Sequence, residues 1–236
     1  MTACAVARPN PTGVWQSARM ATSLILHLDP FWVSPYAFSA FVALKEKGLD
    51  FETRVVDLSK GEHRKEPYRS ASLTARIPAL LHDGFWLTES SAIDEYIEDA
   101  FPAPRHPRLF PADPRQRARA RQVMAFVRSD IGALREERSS ETVVYKMPVP
   151  PLSPAATSAA AKLTDLAGKL VGDKRDTAFG EWSIADADLA WALQRLVANG
   201  DDLPANLRAY AETQWSRPSI RAYIDHPRAP FVPYSY

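Results

Sequence analysis

The chain of 236 residues has one cysteine, Cys4, and nine glycines. A single cysteine excludes an internal disulfide, a zinc site built from several thiolates and an internal dithiol redox pair. The glycines form no phosphate-binding loop, because Gly168 and Gly172 have the wrong spacing and no Lys-Ser or Lys-Thr pair follows them. No apolar run approaches the roughly 18–20 residues that a membrane-spanning helix needs.

The chain also lacks an excess of either charge: it has 29 Lys and Arg residues and 28 Asp and Glu residues, for a formal net charge of +1. This balance gives no reason to expect nucleic acid or a membrane as partner. The basic run at residues 115–121 places its arginines at alternate positions, which scatter around a helix, so contacts between domains or subunits are expected instead. The five histidines are dispersed, and no metal site or permanently bound cofactor is predicted.

Prolines and an unpatterned start divide the chain into four predicted parts. Residues 1–22 have no apolar period and no secretory apolar core, which predicts a disordered extension with Met20 as the functional start. Residues 23–101 form a first domain. Residues 102–113 hold four of the five prolines between Pro102 and Pro114 and are predicted to be a linker. Residues 114–236 form a second domain.

Strand and helix patterns alternate before the linker and become helical after it. Apolar strands are predicted at residues 24–28 and 51–56, with a helix between them that begins at Ser34-Pro35. A hairpin around His82-Asp83-Gly84 leads into another helix, which completes a mixed four-stranded sheet of thioredoxin type. After the linker, a long helix from Pro114 through Leu134 is followed by further helices, one with a capping box at residues 183–186.

Three polar features lie at the ends of elements in the first half, and each has a plain structural interpretation. Ser34 caps a helix, and Glu89 with Ser90 begins another, as capping residues do. Pro78 opens a strand, so it must lie at an edge, a first position or a cis turn. The three tryptophans at 182, 191 and 215 are predicted to pack in the core of the helical half.

Taken together, these motifs resemble the glutathione transferases. The resemblance runs from about residue 23 to the last helix and rests on Val-Ser-Pro-Tyr at 33–36, Arg-Ile-Pro-Ala-Leu at 76–80, Thr-Glu-Ser-Ser-Ala-Ile at 88–93 with Tyr96, and Trp-Ser-Ile-Ala-Asp at 182–186 with Asp188. The runs at 57–63, 117–122, 135–138 and 179–182 are most similar to a bacterial serine-type branch, the YfcF-like transferases.

The resemblance implies a thioredoxin-like glutathione-binding domain followed by an all-helical domain, and it implies site residues. Ser34 would be catalytic and would stabilise the glutathione thiolate, with Tyr36 as a second candidate near the thiol. Residues expected to bind glutathione are His63, Ile77, Pro78, Glu89 and Ser90. Glutathione would be a co-substrate, and the enzyme would be a cytoplasmic homodimer.

The chain departs from some relatives near Ser34. A glutaredoxin-like enzyme would have Cys-Pro-Tyr-Cys where this chain has Ser-Pro-Tyr-Ala at 34–37. Phe31 and Trp32 stand near where other classes place a catalytic tyrosine, so that role would pass to Ser34. The expected activity is conjugation of glutathione to small electrophiles, reduction of hydroperoxides, or both. The alternatives are a non-catalytic binding or regulatory protein on the same fold, or a glutathione-dependent disulfide reductase.

Overall fold

The structure is a computed structural model that describes residues 23–173 and 176–233. The predicted extension, residues 1–22, lies outside the described residues. Four strands form one sheet: β1 (Leu24–Leu28), β2 (Glu52–Val55), β3 (Ala79–His82) and β4 (Phe85–Thr88). Their order is β2-β1-β3-β4, with β1 parallel to β2 and antiparallel to β3, and β3 antiparallel to β4. The predicted mixed four-stranded sheet is confirmed.

The first helix, α1 (Pro35–Glu46), begins where the sequence predicts. Ser34 has an extended backbone and its Oγ accepts a 3.2 Å hydrogen bond from the backbone N–H of Ala37, while Pro35 occupies the first turn. Gly48 follows the end of the helix with a φ of +65°, a left-handed conformation that glycine adopts without steric cost. The cap therefore places the Ser34 hydroxyl at the helix N-terminus, at the end of the loop that follows β1.

The β3–β4 hairpin leads into α3 (Ser90–Ala100). Its turn residues, Asp83 and Gly84, both have positive φ, at +47° and +90°, as the tightest hairpin turns require. A 3-10 turn (Glu62–Arg64) and the short helix α2 (Tyr68–Ala71) connect β2 to β3, in agreement with the predicted irregular or helical link.

The second half is helical, as predicted, but its helix bounds differ in one region. The helices are α4 (Pro114–Ser129), α5 (Gly132–Glu137), α6 (Ser140–Tyr145), α7 (Pro154–Val171), α8 (Ile184–Val197), α9 (Ala205–Trp215) and α10 (Pro218–Ile224). The prediction of one long helix through Leu134 was wrong, because α4 ends at Ser129 and α5 starts after a break. Arg135 on α5 donates to the backbone carbonyl of Arg128, which satisfies a carbonyl at the end of α4.

Helix α1 connects the two halves by packing against α3 on one side and against α8 and α10 on the other. The Phe38 ring lies 4.6 Å from that of Trp191, which is only 2% exposed. Trp182 and Trp215 are partly buried against the same core. Arg121 pairs with Glu95 and so joins α4 to α3, an inter-domain contact of the expected kind. No helix in the described ranges has the length and apolar character needed to cross a bilayer.

Candidate active site

A cavity of about 720 Å³ lies beside the N-termini of α1 and α3. This volume suits a small ligand of tripeptide size. The structure brings every predicted site residue to its wall: Ser34, Tyr36, His63, Ile77, Pro78, Glu89 and Ser90. Asp29, Arg128, Ser140 and Glu141 also line it, and the sequence analysis assigned none of these a role.

Ser34 presents a hydroxyl whose oxygen is already engaged. Since its Oγ accepts from the Ala37 N–H, the hydroxyl proton is left to donate to a ligand in the cavity. The Ser34 carbonyl accepts a 3.1 Å hydrogen bond from the Tyr223 hydroxyl on α10, so the helical half also holds this residue.

Asp29 organises the loop between β1 and Ser34. It is 1% exposed, and its carboxylate accepts hydrogen bonds from the backbone N–H groups of Phe31, Val33 and Ser34 at 3.0, 3.1 and 3.2 Å. Burial raises the pKa of Asp29, and the backbone donors oppose that shift. An aspartate one residue after a buried strand is the signal that would have identified this role.

The Ile77–Pro78 peptide bond is cis, as expected. Pro78 immediately precedes β3, so it occupies a position where the sheet requires no N–H from it. Within the described residues, neither the N–H nor the carbonyl of Ile77 makes a hydrogen bond. The Ile77 backbone can therefore pair with an extended peptide in the cavity.

Glu89 and Ser90 lie at the start of α3. Glu89 has a φ of +69°, a strained conformation for a residue with a side chain, and its exposed carboxylate faces the cavity region. Ser90 is buried, and its Oγ accepts a 3.0 Å hydrogen bond from Nη2 of Arg128. The Ser90 hydroxyl proton and the first N–H groups of α3 are available to an anionic group, which the helix dipole also favours.

Arg128 lines the cavity and makes the most side-chain hydrogen bonds of the lining residues to which the sequence analysis assigned no role. Its Nη1 pairs with Asp188 on α8 at 2.5 Å, and its Nη2 also donates to Ser39 on α1 at 3.3 Å. Ser39 in turn donates a 3.0 Å hydrogen bond to Asp94 on α3. Full burial and the nearby Asp188 raise the pKa of Asp94 well above its usual value, against the opposing effect of Arg128. The network joins α1, α4 and α8 to α3, the helix that begins at Ser90.

His63 lines the cavity. Its Nε2 accepts a 3.1 Å hydrogen bond from Nε of Arg64, which places the proton of the neutral ring on Nδ1. Nδ1 is buried without a partner among the described residues. Burial and Arg64 lower the pKa of His63, so the ring is neutral near pH 7 and can donate one hydrogen bond.

Tyr36 lines the cavity two residues into α1. Its hydroxyl accepts a 2.7 Å hydrogen bond from Nη2 of Arg135. Ser140 and Glu141, from the unpredicted helix α6, line the same cavity. No group of three or more histidine, cysteine, aspartate or glutamate residues is placed to hold a metal ion within residues 23–173 and 176–233.

Two family models match the chain. Residues 33–100 match the N-terminal domain of glutathione S-transferases, and residues 113–227 match their C-terminal domain. The two matches follow the sheet-containing half and the helical half.

Individual relatives agree with this assignment. The chain is similar to a maleylacetoacetate isomerase of Rattus norvegicus, with 31% identity over 87% of this chain and 94% of the relative. A maleylacetoacetate isomerase of Pseudomonas aeruginosa is 38% identical over 46% of this chain, and this match spans about half of the relative's length.

Among solved structures, the fold is similar to a glutathione transferase homologue from Burkholderia gl BGR1 with bound glutathione. That chain is 43% identical, with a TM-score of 0.71 over 86% of this chain and 96% of the other. Motifs, fold and full-length similarity thus agree, and the chain belongs to the glutathione S-transferase family.

Proposed function

We propose that this protein is an enzyme that binds glutathione, ionises its thiol beside Ser34 and directs the thiolate at small electrophiles, hydroperoxides or both. The observation that carries the proposal is the convergence of Ser34, Ile77, Glu89 and Ser90 on one cavity of tripeptide size. These residues come from two helix N-termini and one strand start. A binding protein without turnover would not need the Ser34 proton to be free.

Thiolate formation is the step in which Ser34 acts. A free thiol has a pKa of about 8.5, so only about 3% is ionised at pH 7. A hydrogen bond to a charged group contributes about 1.5–3 kcal/mol, which lowers the pKa by about one to two units. The Ser34 hydroxyl donates to the sulfur, and the N-terminus of α1 adds a favourable dipole. Ser34 keeps its proton throughout.

The remaining residues orient the tripeptide. The free N–H and carbonyl of Ile77 pair with the cysteinyl part of glutathione in β fashion. Ser90, polarised by Arg128, donates to the γ-glutamyl carboxylate, and Glu89 faces the γ-glutamyl ammonium. His63, which lines the same cavity, is the proposed partner of the glycyl carboxylate. Within the described residues, the Ile77 backbone groups and the Glu89 carboxylate make no hydrogen bond, and the Ser90 Oγ accepts from Arg128 but keeps its proton for a ligand.

The chemistry balances without a cofactor. In conjugation, the thiolate forms a carbon–sulfur bond and the leaving group departs with the electron pair of the broken bond. In hydroperoxide reduction, two glutathione molecules supply two electrons and two protons, which yields glutathione disulfide, an alcohol and water. The only cysteine, Cys4, lies outside the described residues, and none of the described residues that line the cavity is a cysteine, so we assign the thiolate to glutathione in either reaction.

A second candidate activity is a glutathione-dependent isomerisation. Two similar proteins, from Pseudomonas aeruginosa and Rattus norvegicus, are maleylacetoacetate isomerases. The same bound thiolate would add to an unsaturated substrate and leave again. For any of these reactions, we propose that the enzyme is a cytoplasmic homodimer and that it belongs to the YfcF-like branch.

Retention and titration test the proposal. We expect the protein to be retained on immobilised glutathione and to show a thiolate absorbance that titrates below pH 7.5 in its glutathione complex. Ser34→Ala should return the thiol pKa towards 8.5 with little loss of retention, whereas Ser34→Thr keeps the hydroxyl. Ser158→Ala, on the exposed side of α7, is the matched control. An unshifted pKa in the wild-type complex would refute the role of Ser34.

A panel of acceptors then distinguishes the reactions. Glutathione is offered together with an aryl halide, an organic hydroperoxide, a mixed disulfide or an unsaturated keto acid. Turnover with the first or second supports the proposed activity, and turnover with only the third or fourth identifies a disulfide reductase or an isomerase. Retention on glutathione without turnover of any acceptor would favour the non-catalytic alternative.

A further inference from the structure

Two arginines behind the cavity wall have no carboxylate partner. Arg195 on α8 is 4% exposed, and its guanidinium donates to the Arg138 carbonyl and, at 3.2 Å, to Oγ of Ser140. Arg135 on α5 donates to the Arg128 carbonyl and, at 2.7 Å, to the Tyr36 hydroxyl. In the described part of the chain, no carboxylate oxygen lies within 4.0 Å of either guanidinium. We call Arg135 and Arg195 the arginine pair.

This arrangement differs from that of Arg128 and Arg138. Arg128 pairs with Asp188 at 2.5 Å, and Arg138 pairs with Asp201 at 2.6 Å. Burial, with a smaller effect of Arg135, lowers the pKa of Arg195 to about 10, and Tyr36 and Glu141 oppose the shift. A buried cation that lacks an anion is costly, so the fold maintains a positive charge here that its own residues do not neutralise.

Two hydroxyl groups connect the arginine pair to the cavity by hydrogen bonds. The oxygens of Tyr36 and Ser140 each accept from one guanidinium of the arginine pair. Neither hydroxyl donates to any described residue, and both residues line the cavity. A hydroxyl whose oxygen is bound to a cation is a stronger donor, so this part of the wall presents two donors suited to an anion.

The charged residues around these two donors limit the net charge of the anion that can bind. Among the described residues, the carboxylates that line the cavity belong to Asp29, Glu89 and Glu141, and of these Glu141 acts electrostatically on Arg195. Two guanidiniums against one carboxylate leave a surplus of one positive charge, which a monoanion would neutralise. One donor is the hydroxyl of Tyr36, two residues from Ser34, and the other is the hydroxyl of Ser140 on α6. The proposed contacts of the glutathione carboxylates lie elsewhere, at Ser90 and His63. The anion therefore belongs to the second substrate.

We propose that the acceptor substrate carries a carboxylate, which binds to the Tyr36 and Ser140 hydroxyls in front of the arginine pair. This inference rests on the proposed function, because it assigns a substrate class to the same site. The carboxylate does not react. It holds the electrophilic atom of the acceptor towards the sulfur beside Ser34, and it screens the surplus charge.

A matched pair of aryl chlorides tests the inference by kinetics. The acceptors are 4-chloro-3,5-dinitrobenzoate and 4-chloro-3,5-dinitrobenzamide. In both, the thiolate forms a carbon–sulfur bond, chloride leaves with the bonding electrons, and the thiol proton passes to solvent. After division by the uncatalysed rates, we expect kcat/KM to favour the benzoate by about tenfold or more, as for a charge-assisted hydrogen bond.

Variants locate the source of this preference. Ser140→Ala and Arg135→Gln should each reduce the preference for the benzoate several-fold through its KM, with a much smaller change for the benzamide. Arg135→Lys, which keeps the charge, should retain most of the preference. Arg119→Gln removes an exposed arginine on α4 that does not line the cavity, and it should leave the preference unchanged.

Binding of the two conjugates by calorimetry gives a readout that does not require turnover. A lower Kd for the carboxylate conjugate, lost in Ser140→Ala, supports the inference. Equal Kd values, or equal losses for both acceptors with a raised thiol pKa, would overturn it and leave the proposed function intact. Failure of the protein to bind glutathione or either conjugate would instead refute the proposed function, and the inference with it.

Discussion

Arg128 on α4 donates a 3.0 Å hydrogen bond to Oγ of Ser90, the first residue of α3. The helical half of the chain thereby holds a residue of the proposed glutathione site in the sheet-containing half. Asp188 fixes the guanidinium from the opposite side, and its side chain is 5% exposed. We therefore expect glutathione affinity to depend on the contact between the two halves.

Arg128→Gln is expected to weaken both glutathione binding and the fold. Loss of the charge-assisted bond to Ser90 should raise the glutathione Kd by about tenfold. Leaving Asp188 buried and unpaired should lower the free energy of unfolding by about 3 kcal/mol. Calorimetry and urea denaturation measure the two effects.

The double variant Arg128→Gln/Asp188→Asn separates these two effects. It removes the unpaired charge, so we expect most of the stability to return while the glutathione Kd stays raised. Recovery of affinity together with stability would contradict a direct role of Arg128 at Ser90.

Ser34→Ala should change the pH dependence of turnover. Because the proposed hydrogen bond from Ser34 lowers the thiol pKa in the complex, kcat/KM for the acceptor at saturating glutathione should reach its plateau below pH 8, and that of the variant should still be rising there. The loss of activity should be about tenfold or more at pH 6.5 and should become small near pH 9.5. A loss that is the same at every pH would mean that Ser34 acts in another way.

Asp29→Ala should destabilise the loop that carries Ser34. The change leaves three backbone N–H groups without their acceptor, and we expect a loss of about 2–4 kcal/mol in unfolding free energy. Because Ser34 is one of these donors, kcat/KM should fall as well. Asp202→Ala, at an exposed position, is the control for removal of an aspartate. Wild-type stability in Asp29→Ala would exclude this role.

Asp94→Asn should change how stability depends on pH. The pKa of Asp94 in the folded state is raised well above 3.8, so its contribution to stability is full below pH 3.8 and is lost as the pH rises through the folded value. The asparagine variant does not titrate, so above pH 3.8 it should lose less stability with rising pH than the wild type. Parallel curves of unfolding free energy against pH for the two proteins would show that this prediction is wrong.

Much of the fold could be predicted because its signals are local. The Ser34-Pro35 start of α1, the Asp83-Gly84 turn and the capping box of α8, whose first residue follows Ser183, depend on contacts within a few residues. The break between α4 and α5 has no such signal, since the apolar period continues through Ile131 and Leu134. Helix α6 was missed because it is short and its stabilising contacts are distant in sequence.

The sequence by itself determined the sheet and the helix caps, because backbone hydrogen bonding and apolar periodicity operate over short distances along the chain. The family resemblance also pointed to seven of the residues that line the cavity. Only the tertiary structure decided which arginines lie at and behind the cavity wall. Arg128 is 38 positions from Ser90, and Arg135 is 99 positions from Tyr36. The balance of charge at a cavity depends on which charged residues the packed helices bring together in space, and no local sequence pattern predicts it.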